Sequence, residues 1–361
     1  MTKLKIGMIG AGFIGQLAHL MNFIEVVNCK VQAVAEYKPV LRQKVAARYD
    51  IPQTYATHVE LLQQADVDAV VVVTPRPFTG PIVLDCLKAG KHVLSEKPMV
   101  GNAEQAKVLL EAAEINGVKY AVGYMKRFDE GVEAAKKALK EVLETGSLGT
   151  ILGVHATCYM GNSYCNPYGH VVTDEKAEYT LSGWSIAPEW LPTEYHQPFG
   201  AYLNTYSHVT NLLRYLFEET PVVEYVNLTD HGGQLAVLGF EKFVATLETG
   251  KMSHRGWSEE IRIKFSDGEI NIAMPPALLR NIPASVEIYR AGIVQEKIRP
   301  CVNWSWAFKR QAESFVSDIL ENKSMRNSAQ EAYQEILLTE EIWHREMQRL
   351  GIENKIAEVA A

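Results

Sequence analysis

An α/β fold in two parts is what this chain of 361 residues predicts. Three observations carry that reading. Over the first 125 residues, near-continuous apolar runs alternate with helical patterns, the mark of a parallel sheet covered on both faces by crossover helices. The first run ends in three glycines, "GAGFIGQ" at positions 10 to 16, where the pattern changes from strand to helix. Beyond residue 125 the alternation stops, and strand-like runs follow, several of them separated only by turn signals, which reads as an antiparallel sheet. The domain reading is therefore residues 1–125 and residues 126–361, as the length also suggests.

The elements support this in order. "KLKIGMIG" places Leu4, Ile6, Met8 and Ile9 in a buried strand, and Phe13, Leu17, Leu20 and Met21 then fall at helical spacing. A bare G-x-G-x-x-G is weak evidence, but this one sits where a strand ends and a helix begins. Gly10 permits the tight turn, Gly12 lets backbone approach a pyrophosphate, and Gly15 permits close helix–strand packing. Phe13 and Ile14 complete the turn, and the helix N-terminus favours an anion. The next strand, "KVQAVAE", ends at Glu36, 21 positions beyond Gly15. A carboxylate at about that spacing accepts the ribose hydroxyls of NAD and repels the 2′-phosphate of NADP. Lys38 is the nearby residue that would soften this preference. The strands in "VDAVVVVTP", "KHVLSEKP" and "VKYAVGY" end at Thr74 and Pro75, at Glu96 and Lys97, and near Tyr124. Ligands of such sheets bind outside the carboxyl ends of the strands, so all these residues are candidates for one Rossmann-type dinucleotide site.

In the second part, "EGVEAAKKALKEVLE" carries Val132, Ala135, Leu139 and Val142 on one helical stripe. Seven strand-like runs follow, from "TILGVHATCYM" to "SVEIYRAG", several divided by turn signals such as Asp267-Gly268.

Composition narrows the function. Apolar residues make up 47% and charged residues 22%, and net charge is −7. That balance fits a soluble globular protein and argues against nucleic acid or a membrane surface as partner, both being anionic. The sequence lacks an apolar run of membrane-spanning length and a signal-peptide pattern, so a cytoplasmic location is expected. Five cysteines with no C-x-x-C read as reduced thiols. No cysteine/histidine cluster has metal-ligand spacing, so no metal is expected.

"GAGFIG", "AGKHVLSEKPM" and "VGYMKRF" together resemble the glucose–fructose oxidoreductase and inositol dehydrogenase (Gfo/Idh/MocA) family. "ETGSLGTILGVHA" and the stretch from "SFVSDILENK" to "TEEIW" also fit that pattern. The resemblance implies a Rossmann domain followed by an α/β domain with a large open, mostly antiparallel sheet, whose free face makes a homo-oligomer contact. It further implies NAD(P)-dependent hydride transfer at a hydroxyl or carbonyl carbon of a sugar, polyol or related compound.

Oxidation of a carbinol needs a base for its proton and a donor that steadies the oxygen. Lys97 of E-K-P is one catalytic candidate, and Pro98 after it is expected to take a cis bond. His208 in "YLNTYSHVTNLL" is the other, since the resemblance places a catalytic histidine on the corresponding helix. Asn204 stands one turn before it, where the family usually has an aspartate. An amide bonds sugar hydroxyls but supplies no negative charge to the histidine. Arg127, Tyr206 and Tyr124 complete the expected substrate contacts, with an ion pair as the other reading of Arg127. In "TPRPFT", Thr79 stands where the family often has a histidine.

The segment from Tyr159 to Tyr206 is long for a connection and rich in aromatic residues. Such faces stack on sugar rings, which favours a pyranoside, glycoside or cyclitol; a lid or an oligomer contact is the other reading. Two further functions stay open: a glycoside 3-oxidase type of enzyme with permanently bound, internally recycled NAD, and a sensing protein that binds NAD(P) without turnover.

Overall fold

A computed structural model describes residues 3–161, 168–177, 181–230 and 232–352. The residues form two compact units. One comprises Met1–Met125, Asn166–Asn204 and Phe308–Ile336; the other comprises Lys126–Cys165, Thr205–Ala307 and Leu337–Ala361.

The first unit holds a six-stranded parallel sheet. Its strands are β1 (Leu4–Ile9), β2 (Cys29–Ala35), β3 (Gln53–Tyr55), β4 (Ala69–Val72), β5 (His92–Ser95) and β6 (Tyr120–Val122), in the order β3-β2-β1-β4-β5-β6. This is the doubly wound order, and it reverses between β1 and β4. Every residue of β4 is fully buried, which is why that strand reads as unbroken valine rather than as an alternation. The helices are α1 (Met21–Phe23), α2 (Pro39–Tyr49), α3 (His58–Gln64), α4 (Arg76–Lys88) and α5 (Ala103–Ile115). The segment after the glycine turn, Gly15–Leu20, is a π-helix that runs into α1. Thr57 caps α3 through the Glu60 amide, and Asn102 caps α5 through the Gln105 amide.

Two stretches from beyond residue 125 complete this unit. Helix α8 (Ala307–Leu320, α7 being described below) sends Ala312, Phe315 and Val316 into the same core as Leu4, Ile6 and Leu41. Phe315 meets Phe23 edge-on at 6.1 Å. Asn327 pairs with Val122 through both its carbonyl and its side-chain amide, and Ser328 bridges Ala121, so the chain adds an antiparallel turn of backbone to the β6 edge. A boundary at 125/126 followed by one continuous second domain therefore does not describe these stretches. The apolar face of α8 packs on the parallel sheet's core, a tertiary contact that helical periodicity alone does not assign.

The second unit is built on an eight-stranded, mostly antiparallel sheet. In chain order its strands are β7 (Ile151–Met160), β8 (Val222–Asn227), β9 (Gly233–Gly239), β10 (Val244–Lys251), β11 (Trp257–Phe265), β12 (Gly268–Ala273), β13 (Ser285–Arg290) and β14 (Glu296–Ile298). Their order is β14-β13-β12-β11-β7-β10-β9-β8, and β7 with β10 is the parallel pair. Strand alternation gives this sheet one buried face: Val154, Ala156 and Cys158 are buried, whereas Leu152 and His155 are exposed. Helix α6 (Glu130–Thr145) lays Val132, Ala135, Leu139 and Val142 into the core, the stripe its sequence predicts. Helix α7 (Thr193–Phe217) starts earlier than its apolar pattern suggests, with Pro198 inside its first turns. Helix α9 (Ala329–Arg349) is the last element among the described residues.

Asp129 fixes the start of α6. Its Oδ1 accepts from the Gly131 amide at 2.8 Å, the Val132 amide at 3.2 Å and the Ala284 amide at 2.9 Å. Replacing Asp129 with Ala strips a cap and leaves buried donors unmet. The expected cost is about 2–3 kcal/mol in equilibrium urea unfolding, with Asp129→Asn losing less; a change under about 0.5 kcal/mol would contradict this account.

Candidate active site and cofactor cleft

The glycine turn is held against β4 by contacts that only hydrogen atoms allow. Gly10 has φ +92°, and a Cβ there would lie 2.1 Å from the Val73 carbonyl oxygen; at Gly15 it would lie 2.6 Å from the Gly10 carbonyl oxygen. At Gly12, by contrast, a Cβ would meet nothing within 4 Å. Gly10 and Gly15 thus close the turn, while Gly12 opens onto free space, as an approach to a pyrophosphate requires.

That space is a cleft lined by Gly10, Gly12, Glu36, Lys38, Thr74 and Pro75, with Leu41, His58 and Ile82 among its apolar and aromatic walls. Five residues expected to bind cofactor therefore share one cleft: Gly10, Gly12, Glu36, Thr74 and Pro75. Glu36 is tied to the turn itself. Its Oε2 accepts from the Ala11 amide at 2.9 Å, and Oε1 accepts from the Lys38 amide at 3.2 Å. The carboxylate is thereby fixed at the edge of the cleft rather than left to solvent. An acidic group on a glycine-bounded cleft at the β1/β4 switch point fits the adenosine half of NAD. Ile14 stands as N-cap of the π-helix. Phe13 does not line the cleft; its ring faces His170 at 5.1 Å.

At the end of β5, Glu96 joins two parts of the site. Its Oε1 lies 2.6 Å from His19 Nε2, and its Oε2 accepts from the Lys97 amide at 3.0 Å. Burial raises the Glu96 carboxyl, but the His19 contact and the Lys97 charge more than offset it and leave the group below the usual carboxylate range. His19 is buried and stacks edge-on against Phe308 at 5.7 Å. Sequence reasoning passed over His19. The available signal was a histidine near the end of the glycine-turn helix, and the wider π-turn is what settles which way it faces.

The Lys97–Pro98 bond is cis, as expected. Lys97 Nζ donates to the Asn204 carbonyl at 2.6 Å and to its side-chain Oδ1 at 3.3 Å, so two residues expected to act together are in contact. Tyr124 is buried in the same unit. His208 lies one turn after Asn204 on α7 and is partly buried. In the second unit, Arg127 Nε donates to Asn211 Oδ1 at 2.7 Å, and its guanidinium lies over the Tyr215 ring at 5.2 Å. The Tyr206 hydroxyl is pushed up to about 12, chiefly by burial, and bonds with Thr249. Lys126, beside Arg127, forms a buried ion pair with Glu259 that the sequence did not signal.

Much of the aromatic-rich segment is structural. Phe199, Tyr202 and Tyr206 are buried on α7, and Trp184 packs over Gly80. Tyr164, Asn162, Asn166 and Cys165 lie outside the described residues. Arg76 donates to the Gly200 carbonyl, and Thr79 to Thr74 within the loop. Among the described residues no group of three or more His, Cys, Asp or Glu is arranged to hold a metal, and no helix is long and apolar enough to cross a membrane. Cys29 and Cys158 have thiols pushed up to about 12 by burial, so they are inert packing residues.

Because the folded Glu96 carboxyl titrates below its unfolded value, its ionised form stabilises the fold above the ordinary glutamate range. That stabilisation is lost as pH falls through the lower folded value. Wild type should therefore exceed Glu96→Gln in urea resistance at pH 6, and the gap should shrink below about pH 4. A gap independent of pH between 6 and 3 would show that Glu96 is not ionised in the fold.

Comparison with known proteins agrees with this geometry. Residues 4–124 match the sequence model of the oxidoreductase family, NAD-binding Rossmann fold. An inositol 2-dehydrogenase/D-chiro-inositol 3-dehydrogenase of Shouchella clausii is 36% identical over 163 residues, covering 44% of this chain and 46% of that protein. The chain thus spans less than half the length of the curated relatives it matches. Among solved structures, apo scyllo-inositol dehydrogenase of Lactobacillus casei superposes with a TM-score of 0.68 at 21% identity, over 95% of this chain and 96% of that one. Levoglucosan dehydrogenase, in complex with NADH and levoglucosan, gives a TM-score of 0.71 at 18% identity, over 95% and 97%. These structures share the fold. The likeness to the NAD-binding oxidoreductase family is thus carried by residues 4–124.

Proposed function

We propose that this protein is an NAD-dependent dehydrogenase moving a hydride between the nicotinamide and a ring carbon bearing a hydroxyl or carbonyl. The substrate is a sugar, glycoside or cyclitol. The observation that carries the reading is the placement, on neighbouring strand ends of one parallel sheet, of a cleft bounded by Gly12 and Glu36 and of Lys97 in contact with Asn204. When bound, NAD would supply the hydride acceptor.

The chain's own groups do the rest. Lys97 offers a positive donor that steadies the substrate oxygen as charge develops. His208, one turn from Asn204, takes the hydroxyl proton. Asn204 presents a neutral amide that both donates to and accepts from hydroxyls, while Tyr124, Arg127 and Tyr206 add substrate contacts. Tyr206 stays protonated at neutral pH, so it serves as a donor and not as the base. The curated inositol dehydrogenase relatives support a cyclitol or sugar ring over a linear acid. The exposed face of the eight-stranded sheet, where Val222, Tyr225 and Val244 are uncovered, is the proposed homo-oligomer contact.

Glu36 sets coenzyme choice on this reading. NAD should bind at least tenfold tighter than NADP, about 1.4 kcal/mol or more; titration of both coenzymes checks this, and equal affinities would mean that Lys38 governs the pocket. Lys97→Ala and His208→Ala should each lower turnover roughly 10²-fold with NAD affinity near normal. The deciding experiment is a panel of free sugars, glycosides, inositols and hydroxy acids followed at the NADH band, with loss of two hydrogens in product mass. Activity confined to hydroxy acids would overturn the reading.

A further inference from the structure

Two polar side chains are buried in the helix that follows the glycine turn, and they serve different parts of the sheet. All six residues of the π-helix Gly15–Leu20 are buried, Gln16 and His19 included. Gln16 Nε2 donates to the Ala11 carbonyl at 2.7 Å and so closes on the turn itself. His19 reaches another strand. Its Nε2 lies 2.6 Å from Glu96 Oε1, just past the end of β5 and 77 residues along the chain. Single π-turns are rare, and they recur at functional sites. This one delivers a buried imidazole to the residue that precedes Lys97.

Glu96 is held at three points. A glutamate side chain has several rotatable bonds and gives up rotamer freedom when one conformation is imposed on it. The Lys97 amide, 3.0 Å from Oε2, is a local partner and fixes one oxygen. His19 fixes the other. Gly123 supplies the bed: a Cβ there would stand 3.3 Å from Cδ, Oε1 and Oε2 of Glu96 alike, so the carboxylate lies against a residue without a side chain. Phe308 meets the imidazole edge-on at 5.7 Å. Phe308, His19, Glu96 and the Lys97 amide thus form one series inside one unit, and it ends on the backbone from which the Lys97 side chain departs. At the far end of that side chain, Nζ reaches the Asn204 carbonyl at 2.6 Å. The series also sets a charge. Burial alone would favour the neutral acid, and the contact with His19 and the charge of Lys97 reverse this, which leaves an anion beside the lysine.

We propose that His19 is a positioning residue for Lys97: through Glu96 it holds the end of β5 in the conformation from which Lys97 presents its ammonium group to the substrate oxygen. His19 acts on the chemistry only by way of Glu96. The inference rests on Lys97 taking part in the reaction proposed above.

The first test reads Lys97 itself and needs no substrate. Reductive methylation with isotopically labelled formaldehyde marks every lysine amine of the full-length protein, and the methyl NMR signal absent from Lys97→Arg belongs to Lys97. Without the His19 donor, burial favours the neutral form of Glu96, and without that anion the Lys97 amine gives up its proton at lower pH. In His19→Leu the Lys97 signal should therefore titrate about half a pH unit or more below wild type. His19→Gln, whose Nε2 donates from nearly the same point, should recover most of that difference. Melting curves establish that each variant is folded; should His19→Leu fail to fold, His19→Asn, too short to reach Glu96, decides in its place. The second test is steady-state kinetics on a ring substrate that wild type turns over. There kcat should fall about tenfold in the deciding variant, with KM and NADH affinity near normal. An unchanged Lys97 midpoint, or an unchanged kcat, overturns the positioning role and leaves the dehydrogenase reading standing. Wild type that turns over no ring substrate overturns the dehydrogenase reading, whatever the Lys97 signal shows.

Discussion

Two close approaches at the end of β1 govern the chemistry available to this protein. The glycine turn comes so near to β4 and to itself that a methyl group at Gly10 or Gly15 would sit inside a carbonyl oxygen. Backbone that close leaves the turn no room to relax, and it forces the chain after Gly15 into position over the sheet. The open side of the turn, at Gly12, then faces the gap left where the strand order reverses between β1 and β4. The cleft is a consequence of that reversal, and glycine at two positions is the condition for its floor to close.

Carboxylates then organise two strand ends of the parallel sheet, those of β2 and β5. Glu36 bonds the Ala11 amide, inside the turn, and Glu96 bonds both His19 beyond the turn and the amide of Lys97. Each acid therefore has a local structural partner in addition to any ligand. This matters for how a strand-end acid is read: its position at the sheet edge is set by main-chain hydrogen bonds, so its chemistry starts from a fixed geometry. For Glu96 the partners also decide its charge, since burial alone would favour the neutral acid.

The parallel sheet was legible because its signals are local. Buried strands such as "AVVV" announce themselves by composition, and the glycine turn by its place between strand and helix. The successive strands of the second sheet and the stripe on α6 were legible for the same reason. What escaped was set by distant contacts. Strands β3 and β14 have three residues each, too few for a periodic pattern. The start of α7 was hidden by Pro198, a helix-breaking residue that lies inside the helix, five positions beyond Thr193. The association of α8 with the parallel sheet depends on which core accepts Phe315, and an amphipathic pattern does not name its partner. His19 depended on a π-turn that shifts a side chain around the helix, and the buried Lys126–Glu259 pair joins residues 133 apart in sequence.

The contact between Lys97 and Asn204 bears on the departure from aspartate at position 204. A carboxylate there would pair with the ammonium group as a salt bridge and draw it away from a substrate oxygen. The amide instead accepts from Nζ through Oδ1 at 3.3 Å while the main-chain carbonyl makes the shorter bond of 2.6 Å. Lys97 is thus held mainly by a backbone oxygen, which carries no net charge, and its positive charge is not cancelled by this neighbour. Asparagine also leaves its amide Nδ2 as a donor on a helix face shared with His208, one turn away. A cation held by a neutral backbone oxygen beside a two-way amide is what the proposed uncharged polyhydroxylated ring calls for, since such a ring offers donors and acceptors in alternation. It suits a carboxylate substrate less, because that group would compete for the ammonium and leave the amide's oxygen facing an anion.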